Sequence, residues 1–189
     1  MGETEADKKG YRHIHSANEP LLIAGVGTLY LEIMQELPDV EVMIVPVGGG
    51  SGAACSVAKA LNPNVKVIGV QAENAPAVYL SWKKGKPTET ESANTFAEGL
   101  ATRVPFTMTF DILCRMIDDI VLVSEGELKK AIVMLLETTH QLAEGAGAAS
   151  TAAAIKLSKQ LQDKKVALPL TGGNLPMKKL RAILEEESY

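Results

Sequence analysis

Cysteine and aromatic residues are scarce in this chain: 189 residues hold 2 cysteines, 1 tryptophan and 4% aromatics overall. Cys55 and Cys114 fit neither a zinc-ligand spacing nor a disulfide framework, which excludes a stapled small fold and points to two buried thiols in a reducing, cytoplasmic setting. A basic excess is also missing, since 19 lysines and arginines face 23 acidic residues for a net charge of −4. Such a balance gives no surface of the kind that nucleic acid or anionic membrane demands. No apolar run reaches the length of a membrane span, and the opening MGETEADKKG has acidic residues where a signal peptide has a basic then apolar segment. What remains is 46% hydrophobic content, enough for the core of one large domain, and 16 glycines. A small metabolite is the expected ligand.

The glycines matter most after Val47. Residues Val42 to Val47 are apolar on both pleat faces apart from Pro46, as in a strand buried within a parallel sheet. Gly48, Gly49, Gly50, Ser51 and Gly52 follow, a backbone free to take positive φ and to bring its N–H groups close to a ligand. Ala53 to Leu61 are good helix formers, so the loop stands at a helix N-terminus, where unpaired N–H groups and the dipole favour an anion. The stretch reads as a phosphate cradle, although the glycines alone also fit an ordinary tight turn. It is not a P-loop, because no Lys-Ser or Lys-Thr follows, and its adjacent glycines differ from the spaced GxGxxG fingerprint.

Elsewhere the pattern alternates helix and strand. Met1 to Gly10 is expected to be a flexible lead-in or the frayed remainder of a preceding helix, with residues 11–189 forming a single α/β lobe. His13 and His15 flank Ile14 and would share one side of a strand; a metal pair is conceivable, but without a third ligand a structural role is the commoner outcome. Apolar residues from Leu21 to Leu37 recur at helical spacing. Val65 to Ala72 is a second strand, which makes β-α-β with a right-handed crossover, and Pro76 to Trp82 a short helix. The polar loop Lys86 to Asn94 fits either the edge of a ligand site or plain solvation. Thr107 to Met116 is helical, Asp119 to Ser124 a third strand, and Ser124 with Glu127 a capping box for a helix Glu125 to Ala143. An alanine-rich helix runs from the cluster Glu144-Gly145-Ala146-Gly147 through Leu161. Val166 to Leu170 is a fourth strand, Thr171-Gly172-Gly173-Asn174 a turn, and Pro176 to Glu186 a final helix. The fold class is therefore α/β: an open parallel sheet of about four or more strands flanked by helices in three αβα layers. Ligands bind such sheets beyond the carboxyl ends of the strands, so Gly48 to Gly52 and Thr171 together predict a phosphorylated cofactor or metabolite.

At this point five segments, in order, carry a resemblance. HSANEPLLIAGVGTLYLEIMQELPDVEVMIVPVGGGSG, FAEGLA, IDDIVLVSEGEL, EGAGAA and LPLTGGNL are similar to segments of the threonine and serine dehydratases, across roughly His13 to Leu184. The resemblance implies the large lobe of a fold type II pyridoxal 5′-phosphate enzyme, one that releases a 2-oxo acid and ammonia from a 2-amino-3-hydroxy acid. It implies that Gly48, Gly49, Gly50, Ser51 and Gly52 take the cofactor phosphate and that Thr171 hydrogen-bonds the pyridine nitrogen. A neutral hydroxyl there leaves the ring less electron-withdrawing than a carboxylate would, which suits β-elimination.

The departures from the family pattern are equally informative. The S-x-K-x-R-G-A type segment with the Schiff-base lysine is absent, as is the S-x-G-N type loop that takes the substrate carboxylate. Both belong to the family's N-terminal half, so the chain is expected to be a fragment, a separate domain or a half-length protein, inactive alone and self-associating or homo-oligomeric through its uncovered face. Cys55 stands where a small residue is usual, and Val26 where a polar one is common. Ala97 and Glu98 match a cation-holding element of some members, but Asn94 replaces its upstream carboxylate, which leaves the metal assignment open. The absence of a regulatory domain after Tyr189 makes an allosteric biosynthetic form the less expected one. Other readings are a non-catalytic phosphate-binding module, or part of a racemase or threonine synthase.

Overall fold

In the first strand Met43, Ile44 and Val45 are all fully buried, as befits a strand covered on both faces. The computed structural model, which describes residues 2–187, places this strand, β1 (Val42–Pro46), second from one edge of an open parallel sheet. Its companions are β2 (Lys66–Ala72), β3 (Asp119–Val123) and β4 (Val166–Ala167), in the order β3-β2-β1-β4. The register sets Ile44 against Ile68 and Met43 against Ala167. The helices are α1 (Gly2–Lys9), α2 (Pro20–Glu36), α3 (Ser51–Leu61), α4 (Ala77–Lys84), α5 (Thr107–Met116), α6 (Glu125–Thr139), α7 (Gly145–Lys156) and α8 (Met177–Glu187).

Alternation along the strands builds two cores. On one face Ile44, Ile68 and Val70 pack with Leu128, Ile132 and Ala149 beneath α6, α7 and α8. On the other Met43, Val45 and Val67 pack with Tyr30, Ala58 and Leu113 beneath α2, α3 and α5. Each large side chain so buried stabilises the fold by about 1.5–3 kcal/mol. Small residues decide how near α7 comes: a Cβ on Gly145 would sit 2.7 Å from that of Ala97, a separation that only glycine permits.

Several boundaries differ from the sequence expectation for identifiable reasons. The lead-in, expected to be either flexible or the remainder of a preceding helix, is helical over Gly2–Lys9, with Ala6 buried and a Lys9–Glu5 ion pair of 3.2 Å one turn apart; Met1 lies outside the described residues. The long helix stops at Thr139 rather than Ala143, because His140 adopts a left-handed conformation (φ 57°) that ends it. Helix α7 ends at Lys156, short of Leu161. The fourth strand is two residues long, since Pro169 has no N–H to continue a ladder. Cys55 is buried as expected, but Cys114 is exposed: α5 turns Thr109, Phe110 and Leu113 inward and leaves position 114 outside.

Candidate functional site

Because β4 lies beside β1, the turns that leave their carboxyl ends meet, and between them opens a cavity of about 420 Å³. Gly48, Gly49 and Gly50 line one side and Thr171 another, with Gly99, Glu144 and the α2 residues Val26, Thr28 and Tyr30 completing the wall. Ser51 and Gly52 belong to the first turn of α3, and Ser51 donates its hydroxyl to the Gly48 carbonyl at 2.7 Å.

The glycines are needed here for space and not for φ. Among the described residues positive-φ glycines are Gly10 and Gly85, so the loop from Gly48 to Gly52 has ordinary backbone angles, contrary to the freedom expected of it. A Cβ on Gly49 would lie 2.9 Å from the Ala17 methyl, and one on Gly50 would lie 3.1 Å from Val26 Cγ1. The preceding segment is therefore drawn tight over the loop. It is pinned there by Thr109, whose hydroxyl donates to the Ala17 carbonyl (3.1 Å), and by Asn18, whose side-chain oxygen accepts from Met108 N–H (2.9 Å).

At the start of α3 the Ala54 N–H reaches the Gly50 carbonyl, whereas the N–H groups of Gly49, Gly50, Gly52 and Ala53 donate to no acceptor among the described residues. Unpaired donors at the N-terminus of a helix of 11 residues are what an anion requires. No lysine or arginine lines the cavity. The turn after β4 is arranged differently: Glu144 donates its N–H to the Gly172 carbonyl (3.0 Å) and accepts from Asn174 N–H (3.1 Å) with its carboxylate. The turn is thereby fixed while the Thr171 hydroxyl hydrogen-bonds no described residue.

Tyr30 and Glu144 line the cavity, and sequence reasoning passed both over. Tyr30 looked like one more apolar position of α2, yet it is one turn from Val26, and both reach Gly50. Burial, with a further contribution from Cys55, pushes its phenol up to about 12; burial and the nearby Asp118 raise Cys55 to about 12 against the lowering effect of Lys59. Both groups are neutral at any physiological pH.

Other candidates fall elsewhere. His15 Nδ1 accepts from Ala17 N–H (3.1 Å), and its ring packs on Phe106 and edge-on to His13. Among the described residues no group of three or more His, Cys, Asp or Glu is placed to hold a metal. Ala97 is buried, while the Glu98 carboxylate points outward to Lys179 at 2.7 Å, and Asn94 lines a separate open hollow with Glu73, Glu89 and Glu91. The polar loop thus borders that hollow and not the glycine cavity. No helix among the described residues is long and apolar enough to cross a membrane.

Comparison with known proteins gives a consistent result. The family model described as pyridoxal-phosphate dependent enzyme matches residues 1–172. The chain is 42% identical over 183 residues to the L-threonine ammonia-lyase of Thermotoga maritima, covering 95% of this chain and 45% of that protein. Its fold matches the processed form of threonine deaminase isoform 2 from Solanum lycopersicum with a TM-score of 0.92 and 28% identity, covering 98% of this chain and 52% of the other. It matches the serine racemase of Dictyostelium discoideum with a TM-score of 0.84 and 31% identity, over 93% and 57% of the two chains. The chain spans about half the length of these proteins. With the glycine loop, the unpaired helix donors and the Thr171 turn assembled round one cavity, the chain belongs to the pyridoxal-phosphate-dependent enzyme family.

Proposed function

We propose that this chain is the cofactor-phosphate lobe of a threonine or serine dehydratase. The observation that carries the reading is the meeting of Gly48–Gly50 and Thr171 on one cavity of about 420 Å³. The residues present fit the cofactor: the loop leaves no Cβ in the way, its N–H groups lack acceptors, and a neutral hydroxyl stands opposite. Gly48, Gly49, Gly50 and Gly52 would hold the phosphate, with Ser51 bracing the loop through Gly48, and Thr171 would meet the ring nitrogen. When bound, pyridoxal phosphate supplies an electron sink for chemistry at the α-carbon of an amino acid. Glu144 keeps the Thr171 turn in position, and Ala17 packs against the loop at Gly49. Relatedness to L-threonine ammonia-lyase supports L-threonine or L-serine as the substrate of the whole enzyme.

Among the described residues no lysine lines the cavity, which supports the reading that the cofactor-linking amine, and that amine as a base for the α-proton, lie outside these 189 residues. Binding without turnover is the expected behaviour of these 189 residues alone. A second reading, a non-catalytic phosphate-binding module, draws on the same lack of a lysine; racemisation draws on the likeness to serine racemase. Leu21, Leu22 and Val26 on α2 are exposed apolar residues through which the chain would self-associate.

The test is a pyridoxal phosphate titration followed by borohydride reduction and peptide mass spectrometry. The expected result is saturable binding with no single lysine labelled. Stoichiometric labelling of one lysine would sink the inactive-lobe reading, and failure to bind would remove the cofactor reading itself.

A further inference from the structure

Tyr30 is 2% exposed yet lines the cavity beside Gly48 and Gly50, and its hydroxyl makes no hydrogen bond to any described residue. The oxygen lies 3.7 Å from where a Cβ on Gly50 would stand, which puts it at the lip of the glycine loop. The hydroxyl is not one of the fully enclosed unpartnered side-chain atoms, so it opens onto the cavity, and packing alone would be served equally well by phenylalanine. We infer that the Tyr30 hydroxyl donates a hydrogen bond to an oxygen of the phosphate monoester held by Gly48 to Gly50, and so sets the preference of this cavity for phosphorylated ligands. The inference rests on the phosphate reading proposed above. Because burial holds the phenol near 12, Tyr30 keeps its proton and acts only as a donor. A charge-assisted bond of this type is stronger than a neutral one. The cavity is lined by no lysine or arginine, so a neutral donor on α2 would add to the N–H groups of the loop from a second direction.

Pyridoxine 5′-phosphate and pyridoxine test this in the full 189-residue chain, since neither has an aldehyde that reacts with surface lysines. In isothermal titrations Tyr30→Phe is expected to weaken the phosphorylated compound and inorganic phosphate by about tenfold or more and to leave pyridoxine within about twofold. The melting temperature of the same variant should rise less than the parent's when the phosphorylated compound is added. Equal loss for both compounds would reduce Tyr30 to packing and overturn the inference. A parent chain that prefers the phosphorylated compound, with the full preference kept in Tyr30→Phe, would overturn it while sparing the loop. A parent chain without that preference would take down the phosphate reading and this inference together.

Discussion

The turn after β1 and the turn after β4 border one cavity, yet glycine meets a different need in each. At Gly48 to Gly50 the missing side chains let Ala17 press against the loop from behind and Val26 from the cavity wall, and its N–H groups are left without acceptors among the described residues. At Gly172 and Gly173 the missing side chains make room for Glu144 and for the Leu142 carbonyl, and Glu144 ties the turn through the Gly172 carbonyl and the Asn174 N–H. Both turns keep N–H groups without acceptors among the described residues, but those after β1 stand at the N-terminus of an 11-residue helix, poised to receive an anion, whereas those after β4 stand beside the Glu144 carboxylate. A glycine-rich turn is therefore identified by where its backbone donors stand and not by its glycine content.

The largest effect should come from disturbing the turn after β4. A Cβ on Gly147 would overlap the Gly172 carbonyl oxygen, and both atoms belong to backbone that has little freedom to yield. Gly147→Ala should cost about 3 kcal/mol of stability, at the upper end of overpacking, read from the urea midpoint at unchanged m. A stability within about 0.5 kcal/mol of the parent would mean that the second turn is not held by its contact with α7. The poised turn calls for a charge test. Gly49→Asn and Gly49→Asp crowd Ala17 almost equally, so their difference isolates charge; the aspartate should bind pyridoxine 5′-phosphate roughly tenfold or more weakly than the asparagine. Equal affinities would make the loop a turn and nothing more.

Thr171 is where the two turns should part chemically. Thr171→Val keeps the shape of the side chain and removes one neutral hydrogen bond, so pyridoxine and its phosphate should both weaken about fivefold. Inorganic phosphate should bind as before. Loss of phosphate binding would place Thr171 at the anion and erase the distinction between the turns.

Much of this comparison could be read from residues, and the unread part has a physical cause. Strand β1 and its loop were legible because an unbroken apolar run into adjacent glycines is a local signal, and the Ser124–Glu127 capping box was legible for the same reason; both of its hydrogen bonds are present. The pairing of β4 with β1 was not, since strand order depends on contacts more than 120 residues apart in sequence, such as Val42 with Val166. That neighbour relation alone brings Thr171 to the glycine loop. Tyr30 escaped notice because a helical position that faces the core and one that faces a cavity in the core show the same periodicity. Cys114 was misjudged because its buried neighbours Thr109 and Leu113 fix which side of α5 is inward, and two cysteines alone do not reveal that side.

The smallest expected effect lies between the turns. The 3₁₀ turn Glu98–Leu100 is wedged there: its Gly99 carbonyl stands 3.2 Å from a Cβ position on Gly48, and Glu98 is tied to Lys179 on α8, just past the second turn. The Lys179 hydrogen bond and charge hold the Glu98 carboxyl below its ordinary range. A depressed folded value means that the contact adds stability above the unfolded carboxylate pKa and loses it as pH falls through the folded one. Both groups are solvated, so Glu98→Gln should leave melting at neutral pH almost unchanged and remove only a shallow acid dependence. Because glutamine keeps the shape and loses the charge, pyridoxine 5′-phosphate affinity should be unaffected. A marked drop in affinity in the variant would show that Glu98 is more than a surface tie and that the wedge couples the two turns.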